Sequence, residues 1–195
     1  AANMLWGGMG DDTLTGFNAQ NLSGGADDYT NIFYGNDGND YLDGAGGDDQ
    51  LYGGADNDTI IGGAGNDWIE GGAGLDQISG GAGSDTIVLN YGEDVGEFIE
   101  GSEDADSSDI DELIIYGRAK IIYDSADPDG ESGTIRWANG DTTTFDNIEN
   151  VTLIPCFTPG ALIETAKGPV SVERLRVGMR VLTRDNGYQT VRWVG

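Results

Sequence analysis

Aspartates recur every nine residues through the middle of this chain, at Asp40, Asp49, Asp58, Asp67, Asp76 and Asp85. Each closes a glycine-rich turn and is followed two places later by Leu or Ile. Six such units run without a gap from Gly35 to Val88: GNDGNDYLD, GAGGDDQLY, GGADNDTII, GGAGNDWIE, GGAGLDQIS and GGAGSDTIV. A seventh, GGMGDDTLT, puts Asp12 in the same place between Gly7 and Thr15. The chemistry on offer is oxygen alone. Carboxylates come from the sixth place, and carbonyls come from the backbone of Gly35, Gly38, Gly44, Gly47, Gly53, Gly62, Gly65, Gly71, Gly74, Gly80 and Gly83. With no imidazole or thiolate in the array, such a set selects a hard cation, and the expected metal is Ca2+.

The rest of each unit must hold these oxygens in place. Glycine at the first, second and fourth places allows positive φ and hence a tight turn. The last three residues form a short strand whose middle side chain, Leu42, Leu51, Ile60, Ile69, Ile78 or Ile87, points inward while its neighbours point out. One apolar residue per unit makes a thin core.

The register of these nonapeptides resembles the RTX family, whose repeat folds as a calcium-binding parallel β-helix. The resemblance implies an all-β, right-handed parallel β-roll over residues 1–88, with two units per coil. Leu42, Ile60 and Ile78 then line one side and Leu51, Ile69 and Ile87 the other. It also implies an ion between turns of adjacent coils, pairing Asp40 with Asp58, Asp49 with Asp67, Asp58 with Asp76, and Asp67 with Asp85. At a strand spacing of about 4.8 Å, two such charges repel by roughly 3.5 kcal/mol at an effective dielectric of 20, which calcium converts into shared coordination. Folding and metal binding become one equilibrium.

The array has departures. Asn36 and Ala45 replace the second glycine and Asp56 the fourth, which predicts weaker turns there. Residues 16–34 slip in register and read either as a degenerate coil, with Asn21 and Asn31 near the ligand place, or as a surface loop. AANMLW reads as the tail of another repeat, with Asn3 at the ligand place and Leu5 inward, so the array is expected to begin upstream. No secretory signal peptide is visible at the N-terminus. RTX proteins of this type commonly leave the cell through a type I secretion apparatus that reads a C-terminal signal, so the resemblance implies a secreted, extracellular protein.

Charge sharpens the picture. The net charge is −26, with 32 acidic against 3 basic residues in 1–155 and 3 against 6 in 156–195. Phosphate contacts need a basic surface, so the acidic part excludes nucleic acid as a partner. No apolar run approaches membrane-spanning length, which argues against membrane insertion. The single cysteine, Cys156, excludes an internal disulfide framework.

After Val88 the repeats stop. Residues 92–112 are acidic and read as a loop. LIIYG and KIIYD read as strands, TIRWANGDTTTF as a hairpin with a type I′ turn at Asn139-Gly140, and NIENVTLI as a further strand. Residues 89–155 are therefore expected to form a β-rich cap over the last coil. An EF-hand reading of DSADPDGE fails, because with Gly130 in the glycine place the first ligand would be Ser125 and the last Arg136.

From Cys156 the chain resembles the start of a bacterial Hint (hedgehog/intein) domain. The resemblance rests on Cys-Phe-Thr-Pro-Gly, the strand ALIET, a turn at Lys167-Gly168-Pro169 and the block VERLRVGMRVLTRDNG. It implies that 156–195 is the N-terminal, short β segment of a truncated domain, in which Cys156 attacks the carbonyl of Pro155 in an N-to-S acyl shift. Family members use a later histidine as general acid, and this chain has none. Cys156 is accordingly expected to be an inactive nucleophile here and the chain not to be an enzyme. The expected function is a calcium-binding module that folds outside the cell. The alternatives are a self-processing parent cleaved before Cys156 and an adhesion or matrix module. In the last, outward Tyr52 and Trp68 would meet polysaccharide or a second roll.

Overall fold

A computed structural model describes residues 3–16, 30–90, 96–102, 109–117, 119–127, 130–154, 162–171, 176, 179–183 and 187–190. Among them there is no helix. Glycine turns too tight for a helix alternate with strands too short to fold back on themselves, so each strand finds its partner one coil away.

Residues 1–155 form one compact unit. Its strands are β1 (Asn3–Met9), β2 (Thr13–Thr15), β3 (Asn31–Asp37), β4 (Tyr41–Asp43), β5 (Gln50–Ala55), β6 (Thr59–Ala64), β7 (Trp68–Ala73), β8 (Gln77–Ala82) and β9 (Thr86–Asn90). They continue with β10 (Phe98–Glu100), β11 (Glu112–Tyr116), β12 (Ala119–Tyr123), β13 (Gly133–Trp137), β14 (Thr142–Asp146) and β15 (Asn150–Ile154). One sheet runs β1-β3-β5-β7-β9-β11-β15 and the other β12-β13-β14-β10-β8-β6-β4-β2. Every pairing is parallel except β12–β13 and β13–β14. This is a β-roll.

The register is the one expected. Leu42 pairs with Ile60 and Ile60 with Ile78 in one sheet, and Leu51 with Ile69 and Ile69 with Ile87 in the other. All six are buried between the sheets, joined by Phe33, Leu14, Ile99, Leu113 and Ile135. Burying one such side chain contributes about 1.5–3 kcal/mol, so each coil adds only two modest increments.

Three expectations change. First, β1 lies directly beside β3 and β2 directly beside β4, with turns 28 residues apart where a regular coil uses 18. Residues 31–34 of the slipped stretch belong to β3, while residues 17–29, Asn21 among them, lie outside the described residues. Second, parallel stacking does not stop at Val88: β10, β11, β14 and β15 carry both sheets onward, and β10 lies within the stretch expected to be an acidic loop. Only β12 and β13 fold as an antiparallel cap. Third, the β13–β14 connection is not a type I′ turn. Trp137 N–H donates to Asp141 O at 2.9 Å and Gly140 N–H to Trp137 O at 3.1 Å, and of the two turn residues only Gly140 has positive φ, at 102°. A three-residue loop of this kind ends in a left-handed glycine and needs no second one.

Residues 156–195 form a second compact unit. It contains β16 (Leu162–Thr165), β17 (Gly168–Ser171), β18 (Arg180–Thr183) and β19 (Gly187–Thr190) in an antiparallel sheet ordered β17-β16-β18-β19. The first hairpin turns at Ala166-Lys167, since Thr165 pairs with Gly168, so Gly168 and Pro169 belong to the strand and not to the turn. Cys156 lies outside the described residues.

Candidate metal centre

The turns position one buried aspartate per unit. Asp40, Asp49, Asp58, Asp67, Asp76 and Asp85 are each at most 3% exposed. Successive coils connect them. Asp40 N–H donates to Asp58 Oδ1 and Asp58 N–H to Asp76 Oδ1, while Asp49 N–H donates to Asp67 Oδ1 and Asp67 N–H to Asp85 Oδ1, all at 2.8 Å. Asp12 N–H joins the first ladder through Asp40 Oδ1 at 2.7 Å. Asn31 joins the second, its N–H donating to Asp49 Oδ1 at 2.5 Å, so the amide stands at the ligand place as expected.

The other carboxylate oxygen is what makes a site. Oδ2 of Asp12, Asp40, Asp58, Asp67, Asp76 and Asp85 is buried and has no hydrogen-bond partner. A buried charge left in this state is costly. Each Oδ2 faces the first glycine of its own turn, and for Asp12, Asp40, Asp58 and Asp67 the carbonyl of the first glycine one coil further on also arrives there; beside Asp85 the carbonyl is that of Gly101, and around Gly71 the nearest atoms are those of the Asp76 carboxylate and Ile78. Around Gly53, the space a Cβ would fill is taken by Asp58 Oδ2 and Gly71 O; around Gly35 by Asp40 Oδ2 and Gly53 O; around Gly62 by Asp67 Oδ2 and Gly80 O. The cradle holds a carboxylate and a carbonyl from adjacent coils, a donor set suited to calcium.

This corrects the role of the first glycine. Positive φ occurs at the second and fourth places, as in Gly63 at 113° and Gly65 at 128°, with Gly74 the exception, and not at Gly35, Gly44, Gly53, Gly62, Gly71 or Gly80. The first glycine is needed for room, the other two for conformation. Asn36, Ala45 and Asp56 adopt positive φ of 81°, 70° and 76° despite their side chains. The carbonyls also divide. Those of Gly35, Gly53, Gly62, Gly71 and Gly80 meet the first glycine of the preceding coil beside its aspartate Oδ2, that of Gly44 meets Gly16 beside the Asn31 amide, and those of Gly47 and Gly65 approach the fourth residue of the following coil.

Electrostatics agree with an unmet need for positive charge. Burial, reinforced by neighbouring aspartates, pushes Asp58 up to about 7, Asp67 to about 6 and Asp85 to about 8, and raises Asp40; burial also raises Asp76. No group of three or more acidic, Cys or His side chains that could hold a metal occurs among the described residues.

A second ladder escaped sequence reasoning. Fifth-place side chains accept from the coil after them: Asn39 N–H donates to Asp11 Oδ1, Asn57 N–H to Asn39 Oδ1, Asn66 N–H to Asp48 Oδ1 and Ser84 N–H to Asn66 Oδ1, at 2.8–3.1 Å. Its signal was present in the Asp, Asn or Ser immediately before every sixth-place aspartate but Asp76, which follows Leu75. Tyr52 stacks on Tyr34 with centroids 5.0 Å apart, and Tyr34 stacks on Trp6. Trp68 remains exposed.

Comparison with protein families places both parts of the chain. Residues 1–17, 25–60 and 52–87 match the RTX calcium-binding nonapeptide repeat, and the stacked aspartate turns are what that match covers. The roll carries RTX calcium-binding repeats. Residues 155–195 match the Hint domain. Comparison with curated proteins gave no match. The RTX repeats bind Ca2+, and the orphaned Oδ2 atoms with the carbonyls beside them fit that ion.

Proposed function

We propose that residues 1–155 are a secreted module whose RTX roll folds when it meets extracellular calcium. The observation that carries this reading is the row of buried carboxylate oxygens without partners, at Asp12, Asp40, Asp58, Asp67, Asp76 and Asp85. Calcium supplies the positive charge they lack. Asp12, Asp40, Asp49, Asp58, Asp67, Asp76 and Asp85 would hold it, with first-glycine carbonyls from neighbouring coils, and the chain's own part is to keep those oxygens dry and close. Inside a cell, where free calcium is low, the ladder repels itself and two inward residues per coil do not offset that. An unfolded chain suits passage through a type I secretion apparatus, and RTX proteins are typically secreted. The roll then folds on the far side.

Circular dichroism tests the reading. With chelator the roll should be largely disordered, and calcium at roughly 0.1–1 mM, the range of extracellular modules, should restore β-structure. Magnesium should do little, because it demands a tighter octahedral shell. A spectrum that chelator leaves unchanged would refute coupled folding.

The Hint match at 155–195 supports a second reading, in which a longer parent cuts or ligates itself at Cys156. The segment present has no histidine to protonate the departing amide. Self-processing is therefore a property to seek in a longer chain.

A further inference from the structure

Glu97 lies outside every nonapeptide, beyond the RTX match that ends at residue 87. The structure nevertheless gives it a ligand's place. Gln77 N–H donates to Asp58 O, and one coil on, Phe98 N–H donates to Asp76 O at 3.2 Å. Phe98 pairs with Gln77 and Ile99 with Ile78, so Glu97 stands beside Asp76 as Asp76 stands beside Asp58.

Its surroundings are built. Glu97 is 1% exposed. Thr143 Oγ1 accepts from Trp137 Nε1–H at 3.0 Å and from Gly96 N–H at 3.2 Å, which leaves its own hydrogen to donate to Glu97 Oε2 at 2.6 Å. The relay fixes Oε2 as an acceptor. The other oxygen, Oε1, is buried with no hydrogen-bond partner, as is Oδ2 of the neighbouring Asp76. Two acidic groups close enough to repel thus each present a dry, unpartnered oxygen, and no cationic side chain acts on either.

We propose that Glu97 is a calcium ligand outside the nonapeptides, paired with Asp76, and that it fastens the β13–β14 hairpin to the roll through Thr143. The metal charge sits on Oε1 while Oε2 holds the Thr143 hydroxyl, so one carboxylate joins the last ligand turn of this sheet to the hairpin bearing Thr143 and Trp137. The extra methylene of glutamate suits a place where the ladder passes from regular repeat to cap. This inference rests on the calcium reading of the repeats.

Calcium bound per chain at saturation, counted by equilibrium dialysis on the full chain, tests it. Glu97→Gln keeps the shape and an oxygen to accept from Thr143 but removes the charge, and should bind about one ion fewer than wild type. An unchanged count in Glu97→Gln would mean that Glu97 is a buried acid without a metal role, and would leave the repeats untouched. No calcium bound to wild type would overturn both readings. Should Glu97→Gln fail to fold, anomalous scattering from wild-type crystals grown in calcium decides: a peak beside Glu97 Oε1 is expected, and its absence overturns the proposal.

Discussion

A methyl group is enough to probe the cradle. Gly53 has no positive φ, so Gly53→Ala carries no conformational strain and only pushes a Cβ into Gly71 O, a backbone atom, and into Asp58 Oδ2, whose carboxylate is fixed through Oδ1 by Asp40 N–H. Overpacking of this kind costs about 1–3 kcal/mol, and urea unfolding in saturating calcium should show that loss together with a higher calcium requirement. Ala45 is the reverse case. Its side chain is held at φ 70°, a left-handed conformation that costs about 1–2 kcal/mol, whereas glycine adopts it freely but loses more entropy on folding. Ala45→Gly should therefore stabilise by roughly 0.5–1 kcal/mol in the same experiment. A destabilised Ala45→Gly would mean that the second place is not under strain.

Within the stacked strands the aspartates act as ladders, and the ladders set both pH response and hierarchy. Burial first, then neighbouring charge, lifts Asp58 to about 7 and Asp85 to about 8 from an ordinary 3.8. A raised carboxylate stabilises the metal-free fold while protonated; that contribution is complete below the unfolded value and is lost as pH rises through the folded ones, about 6 to 8. In chelator, β-structure should thus persist better near about pH 4 than near about pH 8. Calcium competes with those protons, so its half-saturating concentration should fall as pH rises from about 5.5 to about 8.5. A half-saturation point that ignores pH would contradict the buried ladder. Sequence spacing makes Asp40 and Asp85 the ends of the uninterrupted array, yet Asp12 N–H reaches Asp40 and Asp85 N–H donates to Asp111 Oδ1 at 2.8 Å, so both are interior. The measurable contrast lies elsewhere. Asp58→Ala, bonded to Asp40 and Asp76 in the coils on both sides, should cost more calcium affinity and cooperativity than Asp12→Ala, bonded to Asp40 among the described residues; equal losses in titrations would show that the ions bind independently.

At the scale of the molecule, the two compact units differ in charge as well as in fold. The acidic residues lie almost wholly in 1–155, so calcium dependence belongs to that unit, and the antiparallel sheet of 156–195 should keep its structure in chelator. The chain should also remain intact. Cys156 has no histidine to assist departure of its own amide, so incubation with dithiothreitol followed by intact-mass measurement should return the full-length mass. A product ending at Pro155 would make self-processing a property of this chain.

Whatever depends on a nine-residue period could be read from the residues: the ligand aspartates, the inward Leu and Ile, the two alternating sheets and an oxygen-seeking metal. A local repeat fixes those, because each strand's inward face and each turn's carboxylate are set within one unit. Tertiary structure decided what depends on which strands become neighbours. Asp111 and Glu149 continue one ladder, at separations of 26 and then 38 residues, and Glu97 continues the other, although no regular spacing marks them. The offset of 28 residues between Asp12 and Asp40 was equally hidden, since hydrogen bonding between strands is indifferent to how much chain loops out between them. The first glycine completes the contrast. Its letter is plain in every unit, but its need for room and not for φ follows from a carbonyl one coil away, which only stacking brings there.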